Sequence, residues 1–232
     1  MHNSGRYTLI DALRGFALVN MILYHALWDI NYIFDAKIAW YTSHIGYVWQ
    51  QMICCTFIFV SGFCFPLGKH RLKRGLITLG CSAIISIITA VFMPKNIILF
   101  GILSLIGSSV LLMIPLSKLF DKINPYIGLI IFLSIFIMTK TLKYPIWQHG
   151  NLFTAYFGFR PVGFVSTDYF PLVPWLFLYI VGYFMQRIFD KHNLMLYLSD
   201  FKNRPLEWIG RHSLAIYMAH QPVIYALLYI IY

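Results

Sequence analysis

The sequence predicts an all-α, polytopic membrane protein with about seven transmembrane helices and a cytoplasmic N-terminus, and three observations lead there. Of its 232 residues 59% are hydrophobic and only 11% charged, with a mean hydropathy of +0.71, which excludes an ordinary soluble domain. Apolar runs of about 20 residues recur between charged or Pro/Gly-containing breaks, the length an α-helix needs to cross ~30 Å of hydrocarbon. Lipid satisfies no backbone hydrogen bond, so spanning segments are helices or closed barrels, and these runs far exceed the ~10 residues of a barrel strand. Finally, 13 of the 18 Lys and Arg fall on one side of the implied spans, leaving Lys37, Lys95, Lys140, Lys143 and Arg160 on the other. The positive-inside rule then puts the N-terminus in the cytoplasm and the C-terminus outside. The whole chain, 1–232, reads as one transmembrane domain in the cell membrane.

The first predicted helix, 9–30, is apolar enough to span yet carries Asp11, Arg14, His25 and Asp29. With Asp11 at zero and about 100° per residue, Asp29 falls near 0°, Arg14 near −60° and His25 near −40°, so all four share one face. At about 1.5 Å per residue, Asp11 and Asp29 lie roughly 27 Å apart, a polar stripe from one leaflet to the other. Ionisable groups inside a membrane cost several kcal/mol each unless they face protein or water, which marks the stripe as a functional site. The run continues into spanning length without a small-residue cleavage site and is read as a retained signal anchor.

The second helix, 47–67, holds Cys54, Cys55 and Cys64, and the third, 75–92, holds Cys81; inside apolar runs these read as small buried residues rather than zinc ligands or a disulfide framework. Between them Lys69-His70-Arg71-Leu72-Lys73-Arg74 forms a cationic turn. It suits a topology determinant touching anionic lipid, and equally a seat for a phosphorylated cytosolic cofactor. Helices at 97–116 and 126–141 follow. The outer segment 140–168 is too long for a mere connector and holds Trp147, His149, Phe153, Tyr156, Phe157, Phe159 and Arg160. It is either an interfacial aromatic belt or a lid that stacks on a sugar-like ring.

The sixth helix, 170–189, opens with Pro171 and Pro174 near its first turn, where a missing donor is tolerated, and Asp168 is placed to cap it. In the last, 208–230, Ser213, Tyr217 and His220 lie within about 60° of one another on one face, and Pro222 should bend the helix. The net charge of +10 is spread over short loops and helix ends, which excludes a nucleic-acid-binding patch.

Several stretches together are recognisable: Asp11-Ala-Leu-Arg-Gly-Phe-Ala-Leu with Tyr24-His-Ala-Leu-Trp-Asp; Phe100-Gly-Ile-Leu-Ser-Leu-Ile-Gly; Asp168-Tyr-Phe-Pro-Leu-Val-Pro-Trp; and Gly210-Arg-His-Ser-Leu-Ala-Ile-Tyr-Met-Ala-His-Gln-Pro. In this order, over nearly the whole chain, they resemble the bacterial branch of the heparan-alpha-glucosaminide N-acetyltransferase catalytic-domain family. The resemblance implies acetyl transfer from cytosolic acetyl-CoA to an amino-sugar or glycan acceptor across the membrane, without a metal. On that reading His25 is the base, oriented by Asp29 one turn on, and Asp168 or His220 completes the catalytic set. Asp11, Arg14, Arg71, Arg74, Arg211 and His212 form the cofactor side, where guanidinium groups pair with phosphate. Relatives often carry His where this chain has Ser104, and the family's active His lies in a loop position nearer His44, so His25, His44 and His220 all stay candidates. Direct transfer and an acetyl-His route are both open. The stripe alone would equally suit a proton-coupled or small-solute transporter, or a non-catalytic assembly subunit. The expected partners are the acceptor and membrane lipid, and the lipid-facing surfaces would tolerate a homodimer seam.

Overall fold

A computed structural model describes residues 6–142 and 150–231, and among them every regular element is helical. In chain order these are α1 (Thr8–Tyr32), α2 (His44–Phe63), α3 (Arg71–Phe92), α4 (Ile102–Phe120), α5 (Pro125–Thr141), α6 (Leu152–Ala155), α7 (Leu172–Lys191), α8 (Arg204–Arg211) and α9 (Ser213–Ile231). Six of them, α1, α2, α3, α4, α7 and α9, are long and apolar enough to cross a membrane; α5 is apolar but has only 17 residues. The expected seven spans are thus six full-length helices and this shorter one. Expected starts move where local chemistry dictates: Pro94–Asn96 forms a 3-10 turn and the extended Gly101 delays α4 to Ile102, while the Asn124 side chain accepts from the Tyr126 N–H and opens α5.

The expected last helix, 208–230, is corrected to two. His212 leaves the helical region between α8 and α9, and its N–H is shared between the Trp208 and Ile209 carbonyls. Hydropathy does not show the break, and the sequence carries no sign of the packing of α8 on α1 through two reciprocal glycines. A side-chain carbon on Gly15 would collide with the Leu206 carbonyl, and one on Gly210 with that of Asp11.

The chain forms two compact units. The first, Met1–Val60 with His192–Tyr232, contains α1, most of α2, α8 and α9. The contacts of Gly210 with Asp11 and of Leu206 with Gly15 show α8 running against α1; those of His220 with His25 and Gln221 with Asp29 show α9 turning back to run with it. Leu18, Met21 and Ile53 form a core here, flanked by Trp49, Ile209 and Ile216. Trp49 brings its indole N–H to the Asn20 side-chain oxygen at 2.9 Å, so even this apolar face carries a satisfied donor.

The second unit, Ser61–Lys191, pairs α3 with α4 and α5 with α7. Gly75 and Gly107 admit Leu111 and Leu79 between α3 and α4, and Gly128 lies under the Phe184 ring. Residues 166–170 are laced to 96–100 by backbone bonds, among them the Phe170 N–H to the Phe100 carbonyl at 2.8 Å and the Thr167 N–H to that of Ile97 at 3.1 Å. Phe100, at φ +55°, turns the chain into α4 in a conformation unusual for a bulky residue.

Candidate functional site

The polar stripe of α1 exists as a physical face, and both its ends are engaged by the C-terminal helices of the first unit. Near the last turns, the Asp29 side chain is completely buried and accepts from the Gln221 amide nitrogen at 2.8 and 3.0 Å. One turn earlier the His25 ring lies 5.0 Å from that of His220, tilted by 58°. The His220 Nδ1 contacts the Tyr217 carbonyl, while His220 Nε2 and Gln221 Oε1 are buried with no hydrogen-bond partner. The anticipated bond from His25 to Asp29 is therefore not the one formed. Asp29 takes its donor from α9, and His25 takes an aromatic neighbour there. Spacing of i and i+4 puts two side chains on one face but does not make them choose each other over a partner on a packed helix.

Aromatic side chains wall this end. Tyr24 lies 4.9 Å from Tyr41 and 5.4 Å from Trp49, ring to ring, and edge-on to His25 at 6.1 Å. Tyr41, in the loop after α1, is buried and donates to the Tyr24 carbonyl at 3.3 Å. Its burial pushes the phenol well above its usual range, so it stays protonated and acts as a donor. His44, the other candidate from the first loop, is exposed on the first turn of α2, with the Tyr47 ring 6.2 Å away.

At the opposite end of α1 the buried carboxylate of Asp11 collects three guanidinium groups: Arg6 Nε at 2.7 Å, Arg14 Nη1 at 3.7 Å and Arg211 Nε at 3.7 Å. Glu207, also buried, holds Arg211 Nη2 at 2.9 Å and accepts from the Asn203 N–H at 3.0 Å. Three cations thus face two carboxylates. The structure brings Asp11, Arg14 and Arg211 together as anticipated, whereas His212 is exposed and spends its Nδ1 on the Trp208 carbonyl at 2.8 Å. Arg71 and Arg74 belong to the second unit. There the Arg71 guanidinium sits 4.5 Å over the Phe65 ring and donates to the Pro66 carbonyl at 3.2 Å, and Arg74 packs against Gly68.

Asp168 also belongs to the second unit and caps a helix other than its own. Its Oδ2 accepts from the Ile102 N–H at 3.1 Å, at the start of α4 rather than of α7, beside Gly101, which has no side chain to do this. Burial raises the Asp168 carboxyl to about 6 despite that hydrogen bond. Ser104 is buried on α4, and its carbonyl accepts from Ser108 Oγ at 2.6 Å; the Tyr156 hydroxyl meets the same Oγ. Trp147, His149 and Lys143 lie outside the described residues, and Phe153, toward the start of the following segment, is 73% exposed.

Sequence reasoning missed Gln221, Arg6 and Glu207. A signal existed for the first: a carboxylate deep in an apolar helix requires a donor, and Gln221 is an amide beside an already suspected histidine. Arg6 and Glu207 gave none, because charges near helix ends usually face water.

Fold and site together define a class: an all-helical, multi-pass membrane protein whose first helix carries a buried carboxylate and an imidazole paired with one on its last. The family model described as "Heparan-alpha-glucosaminide N-acetyltransferase, catalytic" matches residues 6–222, and the chain belongs to this family of transmembrane acetyltransferases. The matched stretch contains every residue of both α1 clusters. Comparison with curated proteins and with solved structures gave no significant match.

Proposed function

We propose that this protein moves an acetyl group from cytosolic acetyl-CoA to an amino-sugar or glycan acceptor on the outer side of the membrane. The observation that carries the proposal is the His25–His220 pair, 5.0 Å apart beside the buried Asp29, on the same helix whose other end gathers Arg6, Arg14 and Arg211. Neutral imidazoles suit proton removal from an amine or hydroxyl.

The donor's phosphates fit the arginine cluster by chemistry. Arg6 and Arg211 keep 60% and 38% of their side chains exposed, so N–H groups remain for an anion after Asp11 is served. Arg14 would add a third contact. Bound acetyl-CoA would supply an already activated thioester. The chain would hold it, deprotonate the acceptor at an imidazole nitrogen, and exclude water behind the Tyr24, Tyr41 and Trp49 rings. The Lys/Arg distribution supports a cytoplasmic N-terminus, and on this reading the arginine end of α1 faces the cytosol and the histidine end the outer side.

Purified protein in proteoliposomes, given radiolabelled acetyl-CoA and a panel of amino sugars and cell-wall glycans, is expected to label an acceptor. His25→Ala, which removes the ring packed against His220, should lower this activity with unchanged melting. Full activity in that variant would remove His25 from the mechanism. Solute uptake without acetyl-CoA consumption would replace the acetyltransferase reading by a transporter.

A further inference from the structure

The hydrogen bonds around α9 assign roles within the histidine pair. A carbonyl oxygen only accepts, so the contact of His220 Nδ1 with the Tyr217 carbonyl requires a proton on Nδ1. In the neutral ring the buried, unpartnered Nε2 is then a bare lone pair. A carboxylate also only accepts, so the Gln221 amide must turn its nitrogen to Asp29, which leaves its Oε1 buried and unpartnered as well. Two neighbouring residues of one helix thus present two buried acceptors with no donor, an arrangement that folding leaves unpaired only at a cost. His25 has no comparable anchor: its described contacts are the Tyr24 and His220 rings.

We infer that His220 Nε2 is the atom that takes the acceptor's proton, and that Gln221 is a positioning residue that holds the Asp29 carboxylate and offers Oε1 to the same donor group. The inference rests on the acetyltransferase reading above and assigns the proton transfer within it. The acceptor nitrogen or oxygen forms its new bond to the acetyl carbon of an acyl thioester, and its proton passes to His220 Nε2. As the carbon–sulfur bond breaks, that proton leaves on the departing thiolate sulfur, and the imidazole returns to its neutral Nδ1–H form. Asp29 keeps its two hydrogen bonds from the Gln221 amide through the step. His25, its ring 5.0 Å from that of His220, packs beside the base and fixes its tilt.

Two measurements on the full chain test this. In protein labelled with ¹⁵N-histidine, the resonances missing from His220→Gln should show a protonated Nδ1 and an unprotonated Nε2; the opposite tautomer would overturn the assignment. In acetyl-CoA-dependent transfer to glucosamine, Gln221→Leu should lower kcat by about tenfold or more while the KM for either substrate changes by less than about threefold. Gln221→Asn, which keeps the amide, should recover part of the loss. Added imidazole should restore activity to His220→Ala and not to His25→Ala, because only the former lacks the base. Wild-type kcat in Gln221→Leu, or rescue of His25→Ala alone, would overturn the proposal. A wild type with no transfer to any acceptor would instead sink the acetyltransferase reading, and the nitrogen spectra would still decide the tautomer.

Discussion

Placing a methyl group on Gly210 sets the α1–α8 crossing against its own backbone. The new carbon would lie 1.8 Å from the Asp11 carbonyl oxygen, and the reciprocal change at Gly15 would place one 2.0 Å from that of Leu206. Unstrained carbon–oxygen contacts begin near ~3.3 Å, so either substitution demands a retreat of about 1.3–1.5 Å. The obstacle is helix backbone, which has no rotamer to yield. Overpacking of this kind costs about 1–3 kcal/mol, against at most ~1 kcal/mol that alanine gains over glycine in a helix. For a chain of this size the melting temperature of Gly210→Ala and of Gly15→Ala should fall by about 2–8 °C. Gly80→Ala is the control, because nothing lies within 4 Å of its added carbon; it should melt at or above the wild-type temperature. A functional signature accompanies the shift. Arg211 follows Gly210 directly and reaches Asp11 at 3.7 Å, so a retreat of α8 opens that contact, and the KM for acetyl-CoA should rise in Gly210→Ala with kcat little changed. The reasoning fails if all three variants melt together, or if Gly210→Ala matches wild type in both melting and KM.

Three further outcomes can be checked by melting in detergent. The Asp168 carboxyl sits near 6 in the folded protein against 3.8 ordinarily, so the folded state binds a proton that the unfolded chain has shed. The stability this contributes is complete below about pH 4 and lost as pH rises through about 6; Asp168→Asn should flatten that part of the melting profile while keeping the cap on Ile102. Ser109 Oγ is fully buried with no hydrogen-bond partner. Ser109→Ala should therefore raise stability by about 1 kcal/mol, the lower end of the penalty for an unsatisfied polar group, and a lower melting temperature would refute the assignment. Asn20→Leu removes the acceptor of the Trp49 indole N–H and should lose about 1–2 kcal/mol, most of it regained when Trp49→Phe is added.

The spans and the stripe were legible because hydropathy and helical period act within a single segment: α1 is the predicted helix almost to the residue, and Asp11 and Arg14, on the predicted shared face, pair with each other. What escaped was set by partners distant in sequence. Asp168 precedes a proline-rich helix start and reads as its cap, yet residues 166–170 are bound alongside 96–100, which delivers the carboxylate to Ile102 instead. The packing of α8 on α1 rests on Gly15 meeting Leu206 and Gly210 meeting Asp11 across the fold, and a lone glycine in an apolar run gives no sign of that. The Gln221–Asp29 bond displaced the expected His25–Asp29 contact because a packed helix offered a charge-complementary donor at better reach than the neighbouring turn did.

The bond between Asp29 and Gln221 closes across 192 residues of chain. At synthesis rates of roughly 5–20 residues per second, about 10–40 s pass between the appearance of the carboxylate and that of its amide. Throughout that interval α1 carries an acid in the bilayer without its final partner, and Asp11 likewise waits for Arg211. The first unit is sealed only by α8 and α9, so a chain that stops short of them keeps its polar stripe unsheltered.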